Sequence, residues 1–346
     1  MTTLGQQYII DASFRVDRDV AENIRRTQKD RRAVLPEEIQ LAIKRNLQPG
    51  EELGKIIMSN KDFVGSWQWC QLKYQDAICI AMNFKKVRFL VTATANPKWP
   101  ELTRSMNDDI STNPIDYADL FNRLFIDKDE RLKREMIESD LLGKHIAHAR
   151  SIEFQKRGIS NYFVCFFSIT KCYAFNLGGA HSHHIHICDI PFDTLTCDQF
   201  ISAELPDLPS SNDQSKWAQE QRRYYNLVIK YMLHICSNVS GCWNGRKCGK
   251  GFPKQFLRHT IIHDDKPTEY RRRSPVDGGN TYTNPKTGVT YDNRHVVPLN
   301  RYLLLRWGGH INVEWVKIKF YISDRIDTIY RRFFSINFSM PLLDFI

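Results

Sequence analysis

No run of this 346-residue sequence is long and apolar enough to span a bilayer: the longest apolar stretch, around Tyr162 to Ile169, falls far short of the ~20 residues a spanning helix needs. The first residues, Met1 to Val16, contain no basic cluster followed by an apolar run, so a secretory signal is not expected. Nine cysteines without such a signal read as thiols or metal ligands in a reducing compartment, nucleus or cytosol, rather than as a disulfide framework. A phosphate-cradling Gly-x-x-x-x-Gly-Lys-Ser/Thr is also missing. The nearest approach, Gly245-Arg246-Lys247-Cys248-Gly249-Lys250, has the wrong spacing, so no nucleotide cofactor is expected. Neither an internal repeat nor a heptad run is present. Acidic side chains are in deficit, 39 against 49 basic ones, and the resulting net charge of +10 makes a polyanion the first partner to consider.

What the chain does have is a hydrophobic fraction of 42%, enough for an ordinary soluble core and about two domains. Residues 1–80 read as a helical leader, with Pro36 before Glu37 and Glu38 as at a helix start. Val87 to Thr94 is rich in β-branched residues and stops at Asn96-Pro97, the pattern of a strand ended by a turn. A polar, helix-favouring stretch from Tyr117 to about Leu142 follows. Ala149 to Gln155 alternates as a second strand, and His181 to Ile187 forms a third. Strand, helix and strand pair predict an α+β fold, an antiparallel sheet with one functional face over residues 81–210. Residues 211–316 begin helical, through Gln214 to Ile235, and continue as a loop-rich Cys/His extension. Residues 317–346 show no clear period.

The His-rich strand, Gly178-Gly179-Ala180-His181-Ser182-His183-His184-Ile185-His186-Ile187, holds four of the eleven histidines. Residues two apart in a strand share a face, so His181 and His183 present one pair of imidazoles and His184 and His186 another on the opposite face. Either pair suits a divalent metal, with Glu153 and Gln155 of the preceding strand completing the shell. The plain alternative is a surface His cluster without metal.

Several segments, in order, resemble Helitron-type rolling-circle transposases. They are Gln6 to Ala12, Tyr74 to Ala77, Phe89 to Thr92, Asn96 to Glu101, Ile152 to Gly158, Ile201 to Asp207, Lys250 to Lys254, Tyr270 to Arg273, Asp292 to Pro298 and His310 to Glu314. The resemblance implies the N-terminal helicase-like domain, a nuclease of the His-hydrophobic-His class. It assigns His181 and His183, with Glu153 and Gln155, to a Mg²⁺ or Mn²⁺ site, and single-stranded DNA as partner. No membrane partner or small-molecule substrate is implied. In that family a tyrosine attacks the scissile phosphate, leaving a 5′-phosphotyrosine and a 3′ hydroxyl.

The sequence departs from the family at two places. The family's Tyr-x-x-x-Tyr pair is absent, since none of the fourteen tyrosines has another four residues on. Tyr321 and Tyr330 fall in the right region and are the candidates for the nucleophile. An aromatic, acid-free segment, Ile159 to Gly178, separates the second strand from the His strand and reads as a translated intron would. The helicase half has no counterpart in this sequence, so a fragment is expected, one that binds DNA with cutting impaired.

His234, Cys236, Cys242 and Cys248 lie in a glycine-rich stretch and supply one imidazole and three thiolates, enough for a structural zinc site. Their spacing is less regular than a Cys-x-x-Cys knuckle, and three free or buried thiols is the alternative. Lys98 with Trp99, Lys156 with Arg157, and Arg271, Arg272 and Arg273 are the candidate DNA contacts, cations for phosphates and a ring for a base. Trp99, beside the turn after the first strand, also fits a core position.

Overall fold

The computed structural model describes residues 86–105, 118–154, 180–237, 240, 242–264 and 266–316, with scattered positions between 12 and 84. Of the leader, positions such as Ala12, Val16, Asn23, Arg26, Leu72 and Asp76 are helical. The chain divides into two compact units, residues 1–76 with 167–171, and residues 77–166 with 172–346. Everything below concerns the second.

That unit is an α+β structure. In chain order it runs β1 (Val87–Thr94), α1 (Pro100–Ser105), α2 (Ala118–Glu138), β2 (Lys144–Phe154), β3 (Ala180–Asp189), α3 (Thr194–Phe200), α4 (Lys216–Leu227), β4 (Thr281–Thr283), β5 (Thr290–Asp292), α5 (Arg301–Trp307) and β6 (Ile311–Trp315). β4 and β5 form a short hairpin, and the other four strands make one sheet in the order β2-β3-β1-β6 with every pairing antiparallel. β1 coincides with its pattern, whereas two strands extend beyond theirs: β2 starts at Lys144 and β3 reaches Asp189. The mixed polar and apolar alternation of these ends hid them.

Alternation sorts the sheet into two faces. Phe89, Val91, Ala93, Cys188, Ile311, Val313 and Trp315 join the main hydrophobic cluster with Phe121, Phe125 and Met136 of α2 and Leu303, Leu304 and Trp307 of α5. Val87, Leu90 and Ile187 point the other way and, with Ile146, Ala147, Ile185 and Val316, form a smaller second cluster. The helices lie on the first face.

The aromatic centre of the helix side is polar-satisfied as well as apolar. Trp99 Nε1 donates to the Trp307 carbonyl at 2.8 Å, Trp307 Nε1 donates to the Thr94 carbonyl at 2.7 Å, and the two rings meet edge to face at 5.2 Å. The Asn96 side chain adds bonds to the Gly308 carbonyl and the Tyr231 hydroxyl. α5 is capped by Asn300, whose side chain accepts from Leu303 N–H, and ends at Gly308 with φ 64, a left-handed turn that returns the chain into β6. Residues 293–316 therefore pack into the same core as β1 and β3.

Candidate metal and nucleic-acid site

β3 is the strand on which the histidine chemistry rests, and its register fixes which histidines meet. Opposite β1, Thr94 pairs with His181 and Thr92 with His183. Thr94 Oγ1 lies 2.8 Å from His181 Nδ1, and Thr92 Oγ1 lies 3.1 Å from His183 Nδ1. Both rings are oriented by the same nitrogen against the same neighbouring strand, on the face away from the helices. Across β2, Glu153 is the register partner of His181 and Ser151 that of His183. On the far side of β1, Asn312 pairs with Thr92 and Glu314 with Leu90, and the Asn312 amide donates to the Glu314 carboxylate at 2.8 Å. A row of polar positions thus crosses the sheet at one end of the smaller hydrophobic cluster. Gln155 lies outside the described residues.

The other parity of β3 meets a different environment. Ser182, His184 and His186 are fully enclosed between the sheet and α2. His184 Nε2 is 3.0 Å from Asp129 Oδ1 of α2 and 3.0 Å from Ser182 Oγ, while His184 Nδ1 is 3.1 Å from His148 Nε2. Arg150 holds Asp129 from the other oxygen at 2.7 Å and Glu130 at 2.6 Å. Burial pushes the Asp129 carboxyl up, but His184, Arg150 and Ser182 outweigh it and bring the pKa down to about 2. Burial, helped by the surrounding imidazoles, lowers His148 to about 2 and His186 to about 4, and burial lowers His145 as well. These three rings are neutral at pH 7. A bulge between His145 and Ala147 turns His145 and His148, three apart in sequence, toward the same face. Neither they nor Asp129 stood out in the sequence, because a lone His in a strand and a lone Asp in a helix carry no motif.

The Cys/His set converges. The ligand atoms of His234, Cys236, Cys242 and Cys248 all lie within 4.8 Å of one another. Cys236 and Cys242 sulfurs are 3.1 Å apart, too far for a disulfide, and His234 Nε2 stands 3.2 Å from Cys248 Sγ and 3.5 Å from Cys242 Sγ. A tetrahedral zinc site spaces its sulfurs about 3.8 Å apart, so small outward shifts would admit the ion. A tight turn presents the set: Gly249 N–H donates to the Cys242 carbonyl at 2.7 Å, and Phe252 stacks on His234 at 4.4 Å. Although burial acts the other way, backbone N–H groups of Phe252 and Lys250 hold the Cys248 thiol below its ordinary pKa, as thiolate ligation requires. The contact with Cys242 raises Cys236 to about 12. His234 is lowered by burial and by nearby Lys250, so it offers a neutral ring.

Two expected DNA contacts are structural instead. Trp99 is 1% exposed and its indole is committed to Trp307, so no base can stack on it. Arg272 is 3% exposed, and its guanidinium donates to the carbonyls of Ala203, Asn293 and Val296, tying three loops together. Burial lowers its pKa to about 10, which still leaves it charged. Arg273 is half exposed but chelated by Glu204, with 2.8 Å between Nη2 and Oε2. Arg271 is partly exposed beside Glu204 and Asp198, and Lys98 is exposed. Lys156, Arg157, Tyr321 and Tyr330 lie outside the described residues.

Residues 1–160 match the family model described as the Helitron helicase-like domain at N-terminus. The chain carries a Helitron helicase-like N-terminal domain; the match takes in β1 and β2 and ends before β3 and the Cys/His set. No curated protein matches the chain. Among the described residues, no helix is long and apolar enough to cross a membrane.

Proposed function

We propose that this chain is a metal-dependent single-stranded DNA-binding protein descended from a Helitron-type rolling-circle transposase, with binding retained and strand cutting lost. Its premise is the Helitron helicase-like domain of residues 1–160. The observation that carries the reading is the polar row on the helix-free face, with His181 and His183 both turned by threonines of β1 and with Glu153 in register beside His181. Imidazoles held at Nδ1 by a neighbouring hydroxyl offer Nε2 to a ligand, the orientation that a second partner enforces in metal-binding histidines. His181, His183 and Glu153, with Gln155, would hold Mg²⁺ or Mn²⁺. Such an ion would supply positive charge to a bound phosphodiester.

The remaining chemistry belongs to the chain. Lys98 and Arg271 offer charge to the DNA backbone, as do Lys156 and Arg157 in sequence next to β2. Nicking in this class needs a tyrosine hydroxyl to attack phosphorus while the 3′ oxygen leaves. Tyr321 and Tyr330, nine apart, do not reproduce a pair on one helical face. A structural Zn²⁺ at His234, Cys236, Cys242 and Cys248 would staple the glycine-rich loop to the turn before it.

The test is a labelled single strand titrated with protein in Mn²⁺ and in EDTA, followed by denaturing electrophoresis. Binding that weakens steeply with salt, strengthens with Mn²⁺ only while His181 and His183 are intact, and leaves no covalent adduct supports the reading. Absence of binding at low salt would sink it. An adduct abolished by Tyr321→Phe with Tyr330→Phe would restore the nuclease in full.

A further inference from the structure

The helix-covered face of the sheet holds a group of imidazoles that the nuclease reading does not use. His186 is 0% exposed, and neither of its ring nitrogens has a hydrogen-bond partner. The Nδ1 atoms of His145 and His148 are likewise buried and unpartnered. The three rings are neighbours: centroids of His145 and His186 are 5.1 Å apart, those of His148 and His186 6.0 Å, and those of His145 and His148 6.5 Å. Four buried, unsatisfied ring nitrogens in one place run against the rule that enclosed polar atoms find partners, and each would cost on the order of 1–3 kcal/mol if left bare. A shared cation, taking one nitrogen from each ring, removes three of those four costs at once.

The hydrogen bonds behind these rings fix the tautomers in the sense a metal needs. Ionised Asp129 accepts from His184 Nε2–H at 3.0 Å, which leaves His184 Nδ1 to accept from His148 Nε2–H at 3.1 Å. His148 Nδ1 then carries a lone pair and is buried without a partner. A carboxylate bonded to one histidine that bonds in turn to the next holds the outer imidazole in a fixed tautomer and orientation, as metal-ligating rings require. A donor set of three neutral nitrogens selects a late first-row cation over Mg²⁺ or Ca²⁺, which prefer oxygen. The nitrogens are more widely spread than those of the Cys/His set, the one described group whose ligand atoms all lie within 4.8 Å of one another. Turning the imidazoles of His145 and His186 about χ2, while His148 keeps its bond to His184, is the movement that closes the site.

We infer that His145, His148 and His186 form a second, structural transition-metal site, oriented by Asp129 through His184, which fastens the edge strand β2 to β3 beneath α2. Its consequence is mechanical. Among the described residues β2 pairs with β3 alone, and it carries Glu153, so an ion bridging the two strands holds Glu153 in register with His181. The site lies on the opposite face of the sheet from His181 and His183 and stands whether or not that pair binds a metal.

The experiment uses the full chain, stripped with EDTA and loaded with Co²⁺ in excess Mg²⁺, with bound cobalt measured by mass spectrometry and visible absorption. Wild type is expected to hold one tightly bound Co²⁺ with thiolate charge-transfer absorption and about one more with ligand-field bands only. His148→Gln and His145→Gln should each lose the second and keep the first, Cys236→Ser with Cys242→Ser should do the reverse, and His183→Gln should keep both. Asp129→Asn should weaken the second ion about 10–100-fold. Unchanged cobalt content in His145→Gln, a partly exposed position at the start of β2 outside the main hydrophobic cluster, would overturn the inference. So would complete loss of tight cobalt from the double cysteine variant. Loss in His183→Gln alone would assign the second ion to the other face.

Discussion

Two pairs of histidines sit next to each other on β3 and live in different surroundings. His181 and His183 face away from the helices and lean on threonine hydroxyls, with His183 part exposed. His184 and His186 face α2 and are fully enclosed, one bonded to Asp129 and the other to nothing. Residue type and strand are the same for both pairs. What differs is the layer that covers them, and that layer decides whether an imidazole is available to a substrate or acts as part of the core.

The sharpest way to break this contrast is a pair of truncations. Asp129→Ala leaves His184 and Arg150 buried without their carboxylate and should cost about 3–5 kcal/mol of unfolding free energy, whereas His183→Ala on the open face should cost no more than about 1 kcal/mol. Urea unfolding of the two variants measures it; equal losses would mean that the two faces are not energetically distinct.

A pH series on EDTA-treated protein gives the next effect. The folded-state pKa values of His186, about 4, and His148, about 2, lie below the ordinary imidazole value of 6.5. Below pH 6.5 the unfolded chain therefore binds protons that the folded chain refuses, and stability falls as pH drops from about 6.5 through about 4. Asp129, depressed from 3.8 to about 2, adds a loss in the lower window between those two values. The thermal midpoint should track this decline, and His186→Phe should flatten its upper part. An unchanged slope in that variant would show that the ring is not held neutral by burial.

The smallest effect separates the basic residues. Lys98→Ala should reduce the slope of log affinity against log salt by about 1 while leaving the melting temperature alone. Arg272→Ala should lower stability and leave that slope unchanged, because its guanidinium faces three carbonyls inside the protein. A salt-slope change in the Arg272 variant would return it to the DNA interface.

Much of the sheet was legible in advance. Val87 to Thr94 announced β1 by its β-branched residues and the Asn96-Pro97 stop, and the period of two put His181 with His183. The stretch from Tyr117 contained α2, and the Gln214 to Ile235 stretch contained α4, which passes into a π-turn at Val228–Met232. β6, α5 and the β4–β5 hairpin were not foreseen, since five, seven and three residues are too few to show a period. Trp99 took the core position its place beside the turn allowed, and Arg272 was misjudged because a basic residue in a charged run looks the same in sequence whether it points out or in. The Cys/His quartet was legible because its chemistry is concentrated in fifteen consecutive residues, His234 to Cys248. The His145, His148 and Asp129 group was not, because a bulge, a helix and a second strand had to meet before those residues became one environment.

The sequence by itself determined which residues alternate and which kinds of ligand are close along the chain, since backbone geometry and local spacing are properties of neighbouring residues. Tertiary structure alone decided which side of β3 is sealed by α2 and which threonines and carboxylates face each imidazole. Those choices depend on strand register and helix docking, set by the burial of Phe89, Trp99, Phe125, Trp307 and Trp315 across more than two hundred residues of chain.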